Sequence, residues 1–294
     1  MVSEAAKNYI NKKSFSKTFR GYLKNPLSLF LAALLIIGAL ITFFVLLYLI
    51  IYILIKGVPY LTPELFELTY NTENVSMFPA LINTITMTLL SLLIAAPLGI
   101  FTAAYLVEYA KRGNKFVEII RITAETLSGI PSIVYGLFGM LFFVTALGWG
   151  YSILAGAFTL GIMILPLIIR STEEALKAVP DLYREASFGL GAGRMRTVFR
   201  IVIPAAIPGI LAGIILSIGR VVGETAALIY TAGTAAVVPE GVMNSGRTLS
   251  VHMYALSSEG LYTNQAYATA VVLLIIVLVI NWVSAFVAKK LAKV

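Results

Sequence analysis

Residues 79–107, PALINTITMTLLSLLIAAPLGIFTAAYLV, form a continuous stretch without a charged side chain. A helix needs about 20 predominantly apolar residues to cross the hydrocarbon core of a bilayer, so this stretch is long enough to span a membrane. The composition of the whole chain agrees, because 59% of the residues are hydrophobic, only 12% are charged and the mean hydropathy is +0.92. We therefore predict an all-α integral membrane protein.

Further runs of this kind bring the predicted transmembrane helices to six, near 27–55, 79–107, 126–147, 151–169, 205–230 and 267–288. The first run is far longer than the roughly 7 to 15 apolar residues of a signal-peptide core, so we expect it to be retained as an anchor. The sequences PLG at 97–99 and GIPS at 129–132 interrupt the second and third spans. We interpret both as kinks that help helices pack, rather than as backbone that lines a cavity.

The positive charges indicate the orientation of the chain. Nearly all of the 22 Lys and Arg residues lie in the tail 1–26, the loops after the second and fourth spans, and the tail 289–294. Cytoplasmic loops of membrane proteins carry such a positive excess. We therefore expect a multi-pass protein of the cell membrane with both termini cytoplasmic. The formal net charge of +8 follows from this topology and requires no nucleic-acid partner.

Several chemistries are excluded by what the sequence lacks. The chain has no cysteine and a single histidine, His252, so a thiolate cluster or a multi-histidine metal site cannot form. We expect His252 to be an exposed polar residue of an outer loop. No Gly-Lys dipeptide occurs, so the phosphate-binding loop GxxxxGK[ST] is absent. We therefore expect no catalytic site, no metal and no cofactor in this chain.

The loop 170–204, RSTEEALKAVPDLYREASFGLGAGRMRTVFRIVIP, contains the pattern of a short helix. Pro180 suits a first helical turn, and Leu182, Ala186 and Leu190 recur every four residues. Glycines then end the repeat. This periodicity predicts an amphipathic helix beneath the membrane. Periodicity alone is equally compatible with a charged loop that merely follows the positive-inside rule.

The spacing within this loop resembles the EAA signature of ABC importer permeases, in which EAA is followed by three residues, Gly, nine residues and Ile-x-Leu-Pro. The signature positions fall on Glu185, Ala186, Gly191, Ile201 and Pro204. Ser187 replaces the second alanine and Ile203 replaces the leucine. The resemblance implies a type I importer permease fold and a coupling helix that docks on a separate ATPase subunit. That subunit would bind ATP and Mg.

Three further segments resemble phosphate-specific importer permeases of the PstA type. They are the run from Pro79, GIPSIVYGLFG from Gly129 and GRVVGETAAL from Gly219. Permeases of the sister PstC type also carry R-x-x-G-E-T, so this motif alone does not separate the two. GETAALIYTAG and NQAYATAVVLLIIVLVIN favour PstA. Asn83 departs from the glycine usual in the family, and residues 1 to about 60 resemble nothing specific.

Arg220 and Glu224 place two charges inside the predicted fifth span. On a helical wheel both fall within a stripe of small residues, Ala205, Gly209, Gly213 and Ser217, which would turn them away from lipid. A charge at mid-membrane costs about 2.5 to 3.5 kcal/mol, so it is retained when it is paired or useful. One alternative is a purely structural salt bridge between positions i and i+4. The other is that Arg220 binds phosphate in the pathway while Glu224 holds Arg220 and moderates its field. The resemblance places Thr225, the last residue of R-x-x-G-E-T, in the same pathway.

The resemblance implies one permease subunit of an ATP-driven phosphate importer. Its partners would be a PstC-type sister permease, a PstB-type ATPase dimer, an external PstS-type phosphate-binding protein and membrane lipid. An importer of another oxyanion, such as molybdate or sulfate, is an alternative within this class. An ion-coupled secondary carrier is an alternative from another class, although such carriers usually rely on several carboxylates or histidines within their spans.

Overall fold

A computed structural model describes residues 26–111 and 113–291. Within these ranges the chain is helical and contains no β-strand. The predicted amino-terminal tail, except for Pro26, and residues 292–294 of the predicted carboxy-terminal tail lie outside the described residues. The first helix, α1, spans Pro26–Gly57 where the sequence predicted a span over 27–55. It is apolar on all sides and its only charge is Lys56 in the last turn, as expected of a helix in contact with lipid.

Two long helices of residues 56–291 form the centre of the core. Helix α2 spans Phe78–Ala104 and continues as a π-helical turn over Tyr105–Tyr109. Helix α5 spans Ile153–Lys177 and packs along α2. The PLG sequence does not interrupt α2, because the helix continues through Pro97. Gly99 lies against Ile168, whose Cγ2 would be 2.7 Å from an added Cβ, so this glycine permits close packing.

The interruption predicted at GIPS in the third span, 126–147, is present and divides this region into two helices. The structure has helix α3 at Lys115–Ser128 and helix α4 at Ser132–Gly139, extended by a π-helical turn over Met140–Ala146. The two segments are bent by 103°. Proline lacks an N–H and disfavours helical backbone in the residue before it, so Pro131 separates the helices. The Tyr135 hydroxyl donates a 2.7 Å hydrogen bond to the Leu127 carbonyl across the break.

The fifth predicted span, 205–230, is displaced towards the amino terminus. The chain is helical from Arg194 to Val222 through α7 (Arg194–Thr197), a π-helical turn (Val198–Val202) and α8 (Ile203–Val222). Gly223 ends α8, and a separate short helix, α9, spans Ala226–Ile229. The predicted carboxyl-terminal third of this span is therefore a break followed by one helical turn.

The remaining helices lie at opposite ends of the bundle. Helix α6 spans Asp181–Gly189 beside the end of α2, and helix α10 spans Leu249–Glu259 beside its beginning. We refer to these two ends as the α6 end and the α10 end. Helix α11 spans Thr263–Leu291 and packs on α8 and α10.

Five described helices are long and apolar enough to cross a membrane, and the bent α3–α4 pair makes six if it counts as one span. A central apolar core lies where α2, α5, α8 and α9 meet, and includes Met87, Ile164, Val221 and Leu228. A second apolar cluster lies nearer the α6 end and includes Leu106, Leu176 and Val202.

Candidate functional site

Arg220 lies at the middle of the core bundle. Helices α8 and α5 run antiparallel, with Gly209 against Ala175 and Gly213 against Ser171. Continuing this register places Arg220 level with Ile164, close to the midpoint of α5. The neighbouring Val221 shares the central core with Ile164. The register also shows why the stripe of small residues is there, because Gly209 and Gly213 let α8 approach α5 closely.

The Arg220 side chain is half-buried and has no salt bridge or hydrogen bond among the described residues. Tyr135 of α4 packs in the same central core as Val221, the residue next to Arg220. A guanidinium carries five N–H donors in a planar fork. Arg220 can therefore offer these donors to an anion.

Glu224 does not occupy the position predicted for it on the helix of Arg220. It lies beyond the end of α8, so the expected i,i+4 arrangement is wrong. The Glu224 side chain is buried, and its Oε1 accepts a 3.1 Å hydrogen bond from the backbone N–H of Ala227 in α9. Its own backbone carbonyl accepts a 2.5 Å hydrogen bond from the Ser250 hydroxyl of α10. Glu224 therefore fixes the break between α8 and α9.

Thr225 is half-buried at the start of α9 and lines an open cavity of about 370 Å³. The other lining residues come from α10 and α11 and include Met253, Tyr254, Ser257 and Tyr267. Arg220, Glu224 and Thr225 are thus near one another along the chain, on either side of the helix break. Only Thr225 borders this cavity.

The residues at the EAA signature positions lie on α6, in the turn after it and at the start of the long helix that follows. Glu185 and Ala186 are exposed on α6, and Gly191 has φ +81°, a left-handed conformation that favours glycine. Ile201 lies half-buried in the π-helical turn, and Pro204 is exposed in the first turn of α8. The predicted short helix is present, since α6 starts after Pro180 and ends at Gly189.

Large apolar side chains are exposed on α6 and in the segment that follows it. Leu182 is 67% exposed, Leu190 is 90% exposed and Met195 is 69% exposed. An exposed apolar patch rimmed by polar residues is typical of a protein interaction site. We call this patch, with Glu185 and Ala186, the coupling surface.

Ser187, which replaces the second alanine of the signature, has a structural role. Its hydroxyl lies 2.8 Å from the hydroxyl of Thr197, and both residues are buried. This hydrogen bond joins α6 to α7 and so fixes the position of the coupling surface.

An ion pair between Glu108 and Arg184, which was not predicted from the sequence, lies at the same end of the bundle. Arg184 Nη2 lies 2.6 Å from Glu108 Oε1. The hydrogen bond to Glu108 raises the pKa of Arg184 above its ordinary value, against the opposing effect of burial. The sequence contains two signals for this ion pair, which are a carboxylate at the end of an apolar run and an arginine directly before the signature.

His252 is buried, so the prediction of an exposed loop residue is wrong. It lies in α10 with its ring edge-on to Tyr70, at a centroid distance of 6.1 Å. Burial, and secondly the charge of Arg247, lower the pKa of His252 to about 3.

The Asn83 amide donates hydrogen bonds to the carbonyls of Val237 and Arg247, so this departure from the family pattern joins α2 to the loop before α10.

A comparison with protein families decides the classification of the chain. The profile of the family described as "Binding-protein-dependent transport system inner membrane component" matches residues 95–293, which is more than half of the sequence. The chain belongs to this family. The match to these transport components includes Glu108, Arg184, the coupling surface and Arg220. Together with its apolar helices, family membership identifies a multi-pass protein of the inner membrane.

Named relatives of this transport component align with more than two thirds of the chain. The probable ABC transporter permease protein YqgI of Bacillus subtilis (strain 168) is 38% identical over 231 residues, which cover 72% of this chain and 78% of the relative. The phosphate transport system permease protein PstA of Pasteurella multocida (strain Pm70) is 39% identical over 212 residues, covering 71% and 74%. PstA 1 of Mycobacterium tuberculosis (strain ATCC 25618 / H37Rv) is 36% identical over 214 residues, covering 72% and 69%. The resemblance to PstA-type permeases is confirmed.

Solved structures support the same fold for this family member. A chain of a bacterial alginate ABC transporter, in complex with a pentasaccharide-bound periplasmic protein, matches with a TM-score of 0.67 at 17% identity, covering 92% of this chain and 98% of that one. A chain of the MetNI methionine ABC transporter, in an inward-facing conformation, matches with a TM-score of 0.57 at 20% identity, covering 73% and 94%. The all-α fold of a type I importer permease is therefore confirmed.

Proposed function

We propose that this chain is a permease subunit of an ATP-driven importer of inorganic phosphate and forms half of its translocation pathway. The relatives named as phosphate transport permeases support the choice of substrate. The observation that carries the proposal is Arg220, a half-buried guanidinium at mid-depth without a carboxylate partner among the described residues.

The chemistry of Arg220 fits a tetrahedral oxyanion. Retaining an unpaired charge at this depth is costly, so its retention favours a function in transport. The planar guanidinium matches phosphate oxygens in a bidentate geometry that a lysine cannot provide. The attraction between Arg220 and the phosphate must remain weak enough for the anion to be released. We propose that the negative charge of Glu224, four residues further along the chain and beyond the helix break, moderates the field of Arg220 and that the Thr225 hydroxyl contacts the passing anion.

In this proposal the coupling surface is where the chain contacts the ATPase that provides the energy for transport. Its exposed apolar residues and Glu185 would dock on a PstB-type ATPase dimer, which binds ATP and Mg, while this chain carries no catalytic site. The other half of the pathway would come from a PstC-type sister permease. A PstS-type phosphate-binding protein would deliver the substrate at the α10 end, with the α6 end and both termini in the cytoplasm.

The test is transport by the native complex, isolated through an affinity tag on this chain and reconstituted into vesicles. We expect uptake of radiolabelled phosphate that requires ATP and the binding protein. Uptake of molybdate or sulfate in preference to phosphate would reassign the substrate. Phosphate uptake that continues without ATP and follows a proton gradient would instead indicate a secondary carrier and overturn the proposal.

A further inference from the structure

Arg184 connects α6 to the end of α2 through one side chain. Its Nη2 lies 2.6 Å from Oε1 of Glu108, and its Nε lies 3.1 Å from the same oxygen. Glu108 belongs to the π-helical turn that ends α2. The exposed fraction is only 15% for the Arg184 side chain and 8% for that of Glu108. Solvent ions therefore screen this pair much less than an exposed one.

The same guanidinium also binds the end of α5. Nη2 donates a 2.9 Å hydrogen bond to the carbonyl of Leu176, and Nη1 donates a 2.8 Å bond to the carbonyl of Val179. The Leu176 carbonyl lies in the last turn of α5 and also accepts a hydrogen bond from the Val179 N–H, so Arg184 adds a side-chain contact to this helix end. Helix α6 cannot shift relative to α2 and α5 without breaking these bonds.

The neighbouring residue on α6 faces away from the bundle. Successive residues of a helix point about 100° apart, and Glu185 is exposed on the coupling surface while Arg184 is turned into the bundle. A force applied to the exposed face of α6 is therefore transmitted to α2 and α5 through Arg184. The Ser187–Thr197 hydrogen bond makes a second connection, to α7.

We propose that Glu108 and Arg184 are positioning residues that transmit the movement of the coupling surface to the membrane helices. This inference rests on the proposed function, because it assumes that an ATPase moves α6. Breaking the pair leaves the docking residues in place but lets α6 move without α2. ATP is then hydrolysed without a matching movement of substrate.

The first experiment measures phosphate transported per ATP hydrolysed by the complex in vesicles, with Glu108→Gln and the conservative variant Arg184→Lys. The exposed pair of Arg170 and Glu174, 3.3 Å apart, supplies the control variant Arg170→Gln. We expect Glu108→Gln to lower the ratio by about fivefold or more while ATPase co-purification stays unchanged. Arg184→Lys keeps the positive charge but loses the planar set of guanidinium N–H donors. Its ratio of phosphate transported to ATP hydrolysed should therefore lie between those of Glu108→Gln and the wild type. An unchanged ratio in both variants would overturn the proposal.

The second experiment does not depend on the transported substrate. The chain has no native cysteine, so spin labels can be attached at Leu93→Cys on α2 and Tyr183→Cys on α6, both at exposed positions outside the coupling surface. In the complex we expect one narrow distance with and without ATP, and a broadened distance when Glu108→Gln is added. Identical distributions in the two backgrounds would contradict the link. If the wild type moves no phosphate, the proposed function fails while this measurement still decides the inference.

Discussion

Arg220 and Glu224 lie on opposite sides of a helix break, Arg220 within the last turn of α8 and Glu224 beyond Gly223. The carboxylate of Glu224 accepts a hydrogen bond from α9, and no ion pair joins the two residues in the described part of the chain. Arg220 therefore keeps its hydrogen-bond donors for another partner.

Replacement of Glu224 separates its hydrogen bonding from its charge. Glu224→Ala leaves the Ala227 N–H without its acceptor, and we expect a loss of about 1 kcal/mol, as for other helix caps. Glu224→Gln keeps an acceptor oxygen and should unfold close to the wild-type temperature. Thermal unfolding in detergent provides the comparison. Equal destabilisation by both variants would contradict the capping role.

The close packing of α8 on α5 predicts a large effect at Gly213. An added Cβ would lie 1.9 Å from Ser171 Oγ, so Gly213→Ala should destabilise the protein by about 1 to 3 kcal/mol. Gly219→Ala is the matched control, because no other atom lies within 4 Å of its added Cβ. Adding Ser171→Gly to Gly213→Ala should restore much of the stability. Equal melting temperatures for the two alanine variants would show that α8 is not packed as described.

Charge reversal on the coupling surface should weaken association with the ATPase. Glu185→Lys changes an exposed charge among apolar side chains, and we expect about tenfold less ATPase to co-purify with the tagged chain. Glu174→Lys makes the same charge change on an exposed residue outside the coupling surface. If the two variants retain the ATPase equally, α6 is not the docking element.

Buried His252 should make stability depend on pH. Its folded pKa of about 3 lies below the ordinary histidine value of 6.5, so below pH 6.5 the unfolded state binds a proton that the folded state does not. The free energy of unfolding therefore decreases as the pH is lowered, by about 2 kcal/mol from pH 7.5 to pH 5. His252→Gln removes this titration. Its melting temperature should fall less over the same range, and parallel pH profiles would contradict the assignment.

Local signals predicted some of these features and could not predict others. Pro180 and Gly191 act on their own backbone, which is why the position of α6 could be predicted. Pro131 in GIPS likewise marked the break between α3 and α4, whereas the break at Gly223 lies within apolar sequence, so hydropathy alone merged α8 and α9 into one predicted span. The burial of His252 depends on Tyr70, which is distant in the chain. The Glu108–Arg184 pair likewise joins residues 76 positions apart.

The central claim is that Arg220 binds the transported anion, and it is tested most directly by phosphate uptake into vesicles containing the complex with Arg220→Gln. We expect uptake to fall by about 100-fold, because the neutral amide loses the charge and the fork, while assembly and membrane insertion stay normal. Arg220→Lys should retain part of the activity. Full phosphate uptake by a correctly assembled Arg220→Gln complex would contradict the account.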